Sequence, residues 1–552
     1  MNKRLLIFVL CLGANLLALA YDVEINGIFY NLNNSTRTAT VTQKDYFNTS
    51  AYAGHVVIPE QITHNGVQYT VTEIGEWALR YSDVESVVIP TTITKIGERA
   101  FEGCHSLTKM YYNAVKCTVN SYWLKPLNLR EVIFGEDVQS VPSGLFANAG
   151  KLKVVRFNAK NCRGGSMSSA LGYNGSTGHW STHIDSMFIG DSVLYIPSNL
   201  CYEMDSLHYV RMGQSVRVIG EYAFRACPRL TELELPPMLD SIMTGGLQAL
   251  RGIKELHIPR SLRYVGLIGF SSTDSIRIHV EDLAAYAAIT CEHDEASPLY
   301  NNYLYVGGQR VTDLVLPDTA RTVGKYAFSG CLGLNSVTLS DSLRTIEEGG
   351  FYHLPNVQTI RLPEACEKVG KMAFYDCDSM RTIISDAVTP PQLEAQCFYR
   401  WFEYNYTGLY SRYNVLIGCS VDSLAYAANS SWAGYKFRKE RPQVSVATAE
   451  GGMATGEGKY ACDEWVTITA VADEGYTFVG WSDGDQTNPR LIQVDGDVTY
   501  EPLFAGSNPT DIHTEPSQAI KKAEKLMIDN HLYIRRQDGE TYTIDGMHVI
   551  RL

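Results

Sequence analysis

Few residues in this 552-residue chain are spaced for chemistry. Asp483-Gly484-Asp485 puts two carboxylates in one loop, a weak calcium arrangement. A tight turn is the better reading, because an EF-hand-type calcium loop needs a longer ligand series and a terminal Glu. His293, Asp294 and Glu295 are adjacent, which fits a solvated loop. The thirteen His are scattered without metal spacing, and no Cys-x-x-Cys occurs. There is no His-Glu-x-x-His helix, no P-loop and no G-x-G-x-x-G dinucleotide fingerprint. These features argue for a protein that is not an enzyme, with no catalytic residue, no cofactor and no metal site.

Recognition is the chemistry that remains. Tyr111, Arg156, Tyr209, Arg211, Glu232, Glu234, Glu255, His257, Arg277 and Arg361 each flank an apolar residue in a short alternating run, as do Lys109, Glu131 and Thr359. In a strand, such neighbours of a buried residue point to the opposite face. Tyr and Arg are frequent at binding hot spots. Tyr209, Arg211, Glu232, Glu234, Glu255 and His257 fall on three consecutive runs and should form one patch of mixed charge. A Gly- and Ser-rich insertion, Ala159 to His183, adds Tyr173 and Trp180 as a candidate binding loop.

The element that positions these residues is a repeat. Leu314, Val337, Ile360 and Ile383 are equivalent and each 23 residues apart. A fixed period in this range signals a solenoid. Strand centres can be placed at Val57, Val87, Met110, Val132, Val155, Met187, Val210, Leu233, Leu256, Ile276, Leu314, Val337, Ile360 and Ile383, with a degenerate last one at Val415. The expected fold is a β-rich repeat solenoid of about fifteen rungs of about 23 residues. Unequal steps around Val155–Met187 and Ile276–Leu314 mark insertions, and Leu256–Ile276 reads as a trimmed rung. Each unit continues into Val/Ile-Gly-x-x-Ala-Phe, whose Ala and Phe should point inside. No rung buries its apolar face alone, so stacking supplies the core.

Cys104, Cys227, Cys331 and Cys377 occupy the same place in different rungs. Cys331 and Cys377 are two rungs apart, roughly 10 Å by the strand spacing, too far for a disulfide. Small buried side chains are expected there.

Residues 1–20 read as a signal peptide: Lys3 and Arg4, an apolar run, and Ala18-Leu19-Ala20 for cleavage. No other stretch is apolar enough for a span. Twelve cysteines remain after Cys11 is removed, and loss of Lys3 and Arg4 takes the net charge from −13 to −15. Basic residues never run longer than pairs, which argues against nucleic acid. The solenoid with its caps is placed at 21–440. Asn65-Gly66 marks a hairpin in the first cap, and Phe398, Tyr399, Trp401, Phe402, Tyr404, Tyr406, Trp432, Tyr435 and Phe437 supply the second. A small all-β module follows at 443–505, then a linker at 506–519 and a β segment at 520–552.

Three resemblances follow from these residues. Ile96-Gly97-Glu98-Arg99-Ala100-Phe101 with Cys104 and Leu107, and the run from Ile219 to Leu230, resemble the BspA-type leucine-rich repeat. That resemblance implies secretion or surface display by Gram-negative gut and oral bacteria, and in some members adhesion to host matrix proteins. Gly475-Tyr476-x-Phe478-x-Gly480-Trp481 looks like a divergent internalin-type B-repeat, which implies an extracellular, non-catalytic module. Lys525 to Arg535, with Gly546 and Val549, is similar to the C-terminal sorting segment of type IX secretion substrates. The expected function is an adhesin-like, monomeric surface scaffold. Its partner would be a host or bacterial extracellular protein. The alternatives are glycan capture through Tyr173, Trp180 and Tyr209, or a structural spacer.

Overall fold

The computed structural model describes residues 20–44, 51–119, 128–163, 167–174, 179–180, 182–271, 275–399, 414–419, 421–433 and 435–506, and the backbone of 524–528, 531–535, 541–543 and 548–549. Side chains are described up to residue 506, except those of 174, 179 and 180. The chain divides into two compact units, Met1–Glu440 and Arg441–Leu552. Among the described residues, no helix is long and apolar enough to cross a membrane.

The first unit is a β-solenoid of about 14 turns, close to the fifteen read from the spacing. Strand register reproduces the repeat. Met110 pairs with Val132, Val132 with Val155, Val155 with Met187, and Met187 with Val210, all in parallel. The Ala159–His183 insertion therefore leaves the ladder in step. It forms a short helix, Met167–Leu171, and a small hairpin of Tyr173–Asn174 with His179–Trp180.

The Gly-x-x-Ala-Phe motif builds the opposite wall. Ala100, Phe101, Ala223, Phe224, Ala327, Phe328, Ala373 and Phe374 are all buried. Phe328, Phe351, Phe374 and Phe398 stack turn upon turn, with ring centroids 5.4, 5.3 and 5.4 Å apart. The repeated glycine is a clearance between turns. A Cβ at Gly97 would lie 2.4 Å from the Glu76 backbone nitrogen, and one at Gly324 would lie 1.8 Å from the Ile289 carbonyl oxygen. The repeated cysteine ties turn to turn through a hydrogen bond. Cys104 Sγ donates to the Leu79 carbonyl at 2.9 Å and Cys227 Sγ to the Cys201 carbonyl at 3.0 Å. Burial pushes the Cys104, Cys227 and Cys331 thiols up to about 12, so they stay protonated.

Two strand centres need correction. In the first rung Val56 is buried and pairs with Val87, while Val57 is exposed and pairs with Val88, so the centre is Val56; the register shifts at Gly54/His55. Leu256 pairs with Ile278, not Ile276, so this rung keeps a step near the period and is not trimmed. The alternation Ile276-x-Ile278-x-Val280 offers three apolar centres, and all three are buried. The insertion that follows opens with the helix Leu283–Ala287, capped by the Asp282 carboxylate accepting from the Ala285 N–H at 2.9 Å. It returns as Tyr303–Val306, which pairs with the rung of Ile278 and folds back through Gly307-Gly308 onto Gln309–Arg310.

Both ends are covered. Ile28–Asn33 pairs with Thr38–Thr42, and Gln61–His64 with Val67–Ile74 across Asn65-Gly66, both antiparallel. At the other end, Phe437–Lys439 pairs with Asn414–Ile417 beside buried Tyr426 and Trp432. Trp401, Phe402, Tyr404 and Tyr406 lie outside the described residues.

The second unit holds short strands between Gln443 and Gly506 around Val444, Val466, Ile468, Ala470, Trp481, Ile492 and Val494. Trp481 is fully buried and donates from Nε1 to the Thr487 carbonyl at 3.0 Å. In the tail, Glu524–Ile528, His531–Arg535, Thr541–Thr543 and His548–Val549 pair as an antiparallel sheet.

Candidate binding face

Alternation places the predicted residues on the outer side of the solenoid strands. Val210 is buried while Tyr209 and Arg211 are exposed; Leu256 is buried while Glu255 and His257 are exposed. Glu232, Glu234, Arg277 and Arg361 are exposed, and Tyr111 and Arg156 are half-buried.

Many of these groups are already held by a neighbouring rung. Arg156 Nε donates to Glu131 at 2.6 Å, and its guanidinium lies 4.3 Å from the Phe188 ring centroid. Lys109 pairs with the other Glu131 oxygen at 3.0 Å and covers Tyr111 at 5.3 Å. Burial raises the Glu131 carboxyl, but the hydrogen bonds from Arg156 and Lys109 outweigh it and hold the group below its ordinary value. Arg277 pairs with Glu255 at 2.8 Å. Arg361 is clamped by Asp386 at 2.7 Å and Glu440 at 2.9 Å. Arg211 reaches Asp191 at 3.8 Å, and Tyr209 packs on Phe188 at 5.5 Å. Tyr173 packs against Tyr202 at 5.2 Å, and its hydroxyl donates to Glu203 at 3.3 Å. The Trp180 side chain lies outside the described residues.

The middle of the face is different. The outer-strand ladder runs unbroken from Ala53–Val57 to Tyr209–Arg211 and resumes at Glu255–Ile258. Between them, Thr231–Leu235 forms no strand and makes no backbone–backbone hydrogen bond among the described residues. The ladder of the opposite wall stays closed at this level, from Tyr195–Ile196 through Ser241–Ile242 to Thr290–Cys291. Two sequence features set this rung apart. Pro236-Pro237 removes two donors at its end. Glu232 also falls opposite Glu255, and like charges across a ladder disfavour pairing. A groove of about 690 Å³ opens here, with Leu233, Leu235 and Ile258 in its lining and Glu232, Glu234 and Glu281 among its carboxylates. None of those three carboxylates has an ion-pair or hydrogen-bond partner among the described residues.

A histidine stack borders the groove. His257 lies on His279 at 4.5 Å with rings 10° apart, and His279 meets Tyr305 at 5.1 Å. Burial first, then the neighbouring His257, hold the His279 imidazole below its ordinary value; the nearby Glu255 carboxylate acts against this and Arg277 adds to it. His279 was missed by the sequence reading because the strand was centred two residues early.

The doubtful chemical loops resolve as structure. Asp483 and Asp485 both bind Arg490, at 2.6 and 3.2 Å, so the loop is a charge-locked turn. Glu295 accepts from Ser271 Oγ at 3.0 Å beside the short 3-10 turn Asp294–Ala296. Among the described residues, no cluster of His, Cys, Asp and Glu could hold a metal ion.

A family model for the BspA type leucine rich repeat region matches residues 45–166, 178–284 and 300–406, more than half of the chain. A model for the divergent InlB B-repeat domain matches residues 443–501. A leucine-rich repeat protein from Bacteroides ovatus is similar at 21% identity over 76% of this chain and 100% of that chain, with a TM-score of 0.36. A leucine rich cell surface protein from Faecalibacterium prausnitzii is similar at 18% identity over 76% and 94%, with a TM-score of 0.28. The pneumococcal vaccine antigen PcpA is similar at 15% identity over 78% and 93%, with a TM-score of 0.29. No curated protein matches the chain.

Proposed function

Because this chain belongs to the BspA-type leucine-rich repeat family, we propose that it is a non-enzymatic, adhesin-like surface protein whose outer strand face binds an extracellular protein. The observation that carries this reading is the run Tyr209, Arg211, Glu232, Glu234, Glu255 and His257. These are exposed side chains of mixed charge on three consecutive rungs. Stacked repeats hold such a row on a regular scaffold without any one rung having to fold alone. In this reading residues 1–20 direct export, residues 520–552 serve surface delivery, and the protein stands on the outside of a Gram-negative cell.

The test uses the full chain against immobilised fibronectin, fibrinogen, laminin and collagen, with a glycan array in parallel. Saturable binding to one protein, lost in the Tyr209→Ala/Arg211→Ala/His257→Ala variant, is the expected result. Binding to glycans alone would replace this reading with carbohydrate capture. Silence on both would leave a spacer. Deleting residues 520–552 should move the protein from the cell surface to another fraction, read by surface proteolysis of intact cells.

A further inference from the structure

The break in the outer ladder at Thr231–Leu235 points to a particular kind of partner. Three observations meet there. First, five consecutive residues have backbone N–H and C=O groups with no backbone–backbone hydrogen bond, between two rungs that do form strands. Unpaired strand backbone is the template on which an extended peptide adds. Second, the groove reaches the apolar floor. Leu233 and Leu235 are 6% and 7% exposed, whereas Val132 and Val155 in the closed ladder are 0% exposed. Third, Glu232, Glu234 and Glu281 stand in the groove without cationic partners among the described residues, and Arg260 is the only arginine of the groove's described lining.

The ladder also opens between Ser336–Thr338 and Thr359–Leu362. At that break the outer-strand side chains Ser336 and Arg361 are already engaged: Ser336 donates to Asp313 at 2.5 Å, and Arg361 is held by Asp386 and Glu440.

We infer that the groove over Thr231–Leu235 binds an extended, basic segment of a protein partner. The segment pairs its backbone with the open rung and sets Lys or Arg side chains beside Glu232 and Glu234. Strand periodicity fixes the pattern. Glu232 and Glu234 are two apart, so the complementary segment carries cations at alternate positions and apolar side chains between them, which meet Leu233, Leu235 and Ile258. This inference rests on the protein-binding reading above and deepens it.

The probes are three capped, fluorescently labelled octapeptides: alternating Lys and Val, alternating Glu and Val, and the Lys–Val peptide N-methylated at every second residue. Affinity for the full chain is measured by fluorescence polarisation, with Glu232→Gln/Glu234→Gln as the variant. These side chains are exposed and unpaired, so the fold should survive their replacement, and circular dichroism checks it. The Lys–Val peptide should bind and the Glu–Val peptide should not. The double variant should bind about fivefold more weakly, the sum of two exposed ion pairs. N-methylation should weaken binding about fivefold or more through lost backbone hydrogen bonds. Equal affinity for native chain and variant would overturn the inference, as would equal affinity for the methylated peptide, since an acidic chain attracts any cation. A matrix protein that still binds the double variant with native affinity would overturn the inference and leave protein binding standing. If no matrix protein binds the native chain, the protein-binding reading fails whatever the peptides do.

Discussion

The rungs around Lys109, Glu131 and Arg156 and the rungs around Glu232 and His257 share one repeat and one alternation, yet their outer faces differ. In the first region the ladder is closed, and Glu131 is held between Lys109 and Arg156. In the second the ladder is open, and Glu232 and Glu234 have no partner among the described residues. Residue type does not separate the two regions. Arg156 has the chemistry of a hot spot, but its guanidinium is already occupied by Glu131 and Phe188. In a stacked repeat, the side chain one rung away decides whether an outward group is free for a partner.

The largest test of this contrast concerns packing. Phe134 is fully buried among Tyr112, Phe146 and Phe157. Phe134→Ala should cost about 3–5 kcal/mol, the range for a buried aromatic truncated in a tight core. Leu233→Ala should cost less, about 2 kcal/mol, because its floor is already reached from the groove. Chemical denaturation of both variants decides it; an equal or greater loss at Leu233 would show the open rung to be packed as tightly as the closed one.

The next effect is electrostatic. Glu131→Gln should lower stability by about 0.5–1 kcal/mol, since it removes two partly exposed ion pairs. Glu232→Gln/Glu234→Gln should leave the denaturation midpoint unchanged or slightly raised, because no pair is lost and a local repulsion falls. A destabilised double variant would mean that these carboxylates serve the fold.

Acid should erase the first of these differences. The folded Glu131 carboxyl titrates below its ordinary value of 4.5. Its contribution is therefore complete above that value and is lost as pH falls through the folded value. The gap in midpoint between native chain and Glu131→Gln should narrow as pH falls below the ordinary value of 4.5. A gap that persists would assign the stabilisation to something other than charge.

The smallest effect lies in the histidine stack. His279 should titrate below 6.5 by NMR and move upward in His257→Ala. A base kept neutral by burial favours the folded state above its unfolded value, and this contribution declines as pH falls below about 6.5. An unmoved His279 would remove His257 from the causes.

Much of the fold was legible because the repeat is a physical constraint stated many times over. The paired centres Met110, Val132 and Val155 follow from the period, and Met187 and Val210 resume it after the insertion. Of the two misplaced centres, Val57 for Val56 and Ile276 for Ile278, the second arose where three apolar residues alternate and the next step spans an insertion. That shift hid His279. The pairing state of the face was less legible, although a signal existed. Glu131 and Arg156, Glu255 and Arg277, and Arg361 and Asp386 are opposite charges 25, 22 and 25 residues apart, one rung each. Reading outward charges at that offset would have separated engaged groups from free ones. The open ladder at Thr231–Leu235 is harder to foresee. Pro236-Pro237 and the glutamates are visible, but their effect depends on how closely the neighbouring rungs can approach.

The most direct measurement compares one protein ligand across three chains. A matrix protein that binds the native chain saturably is titrated against Glu232→Gln/Glu234→Gln and against Glu131→Gln. Weaker binding to the first, by about fivefold, with native binding to the second, is the result expected if open and unpaired rungs make the contact. Equal loss in both variants, or loss only in Glu131→Gln, would contradict it.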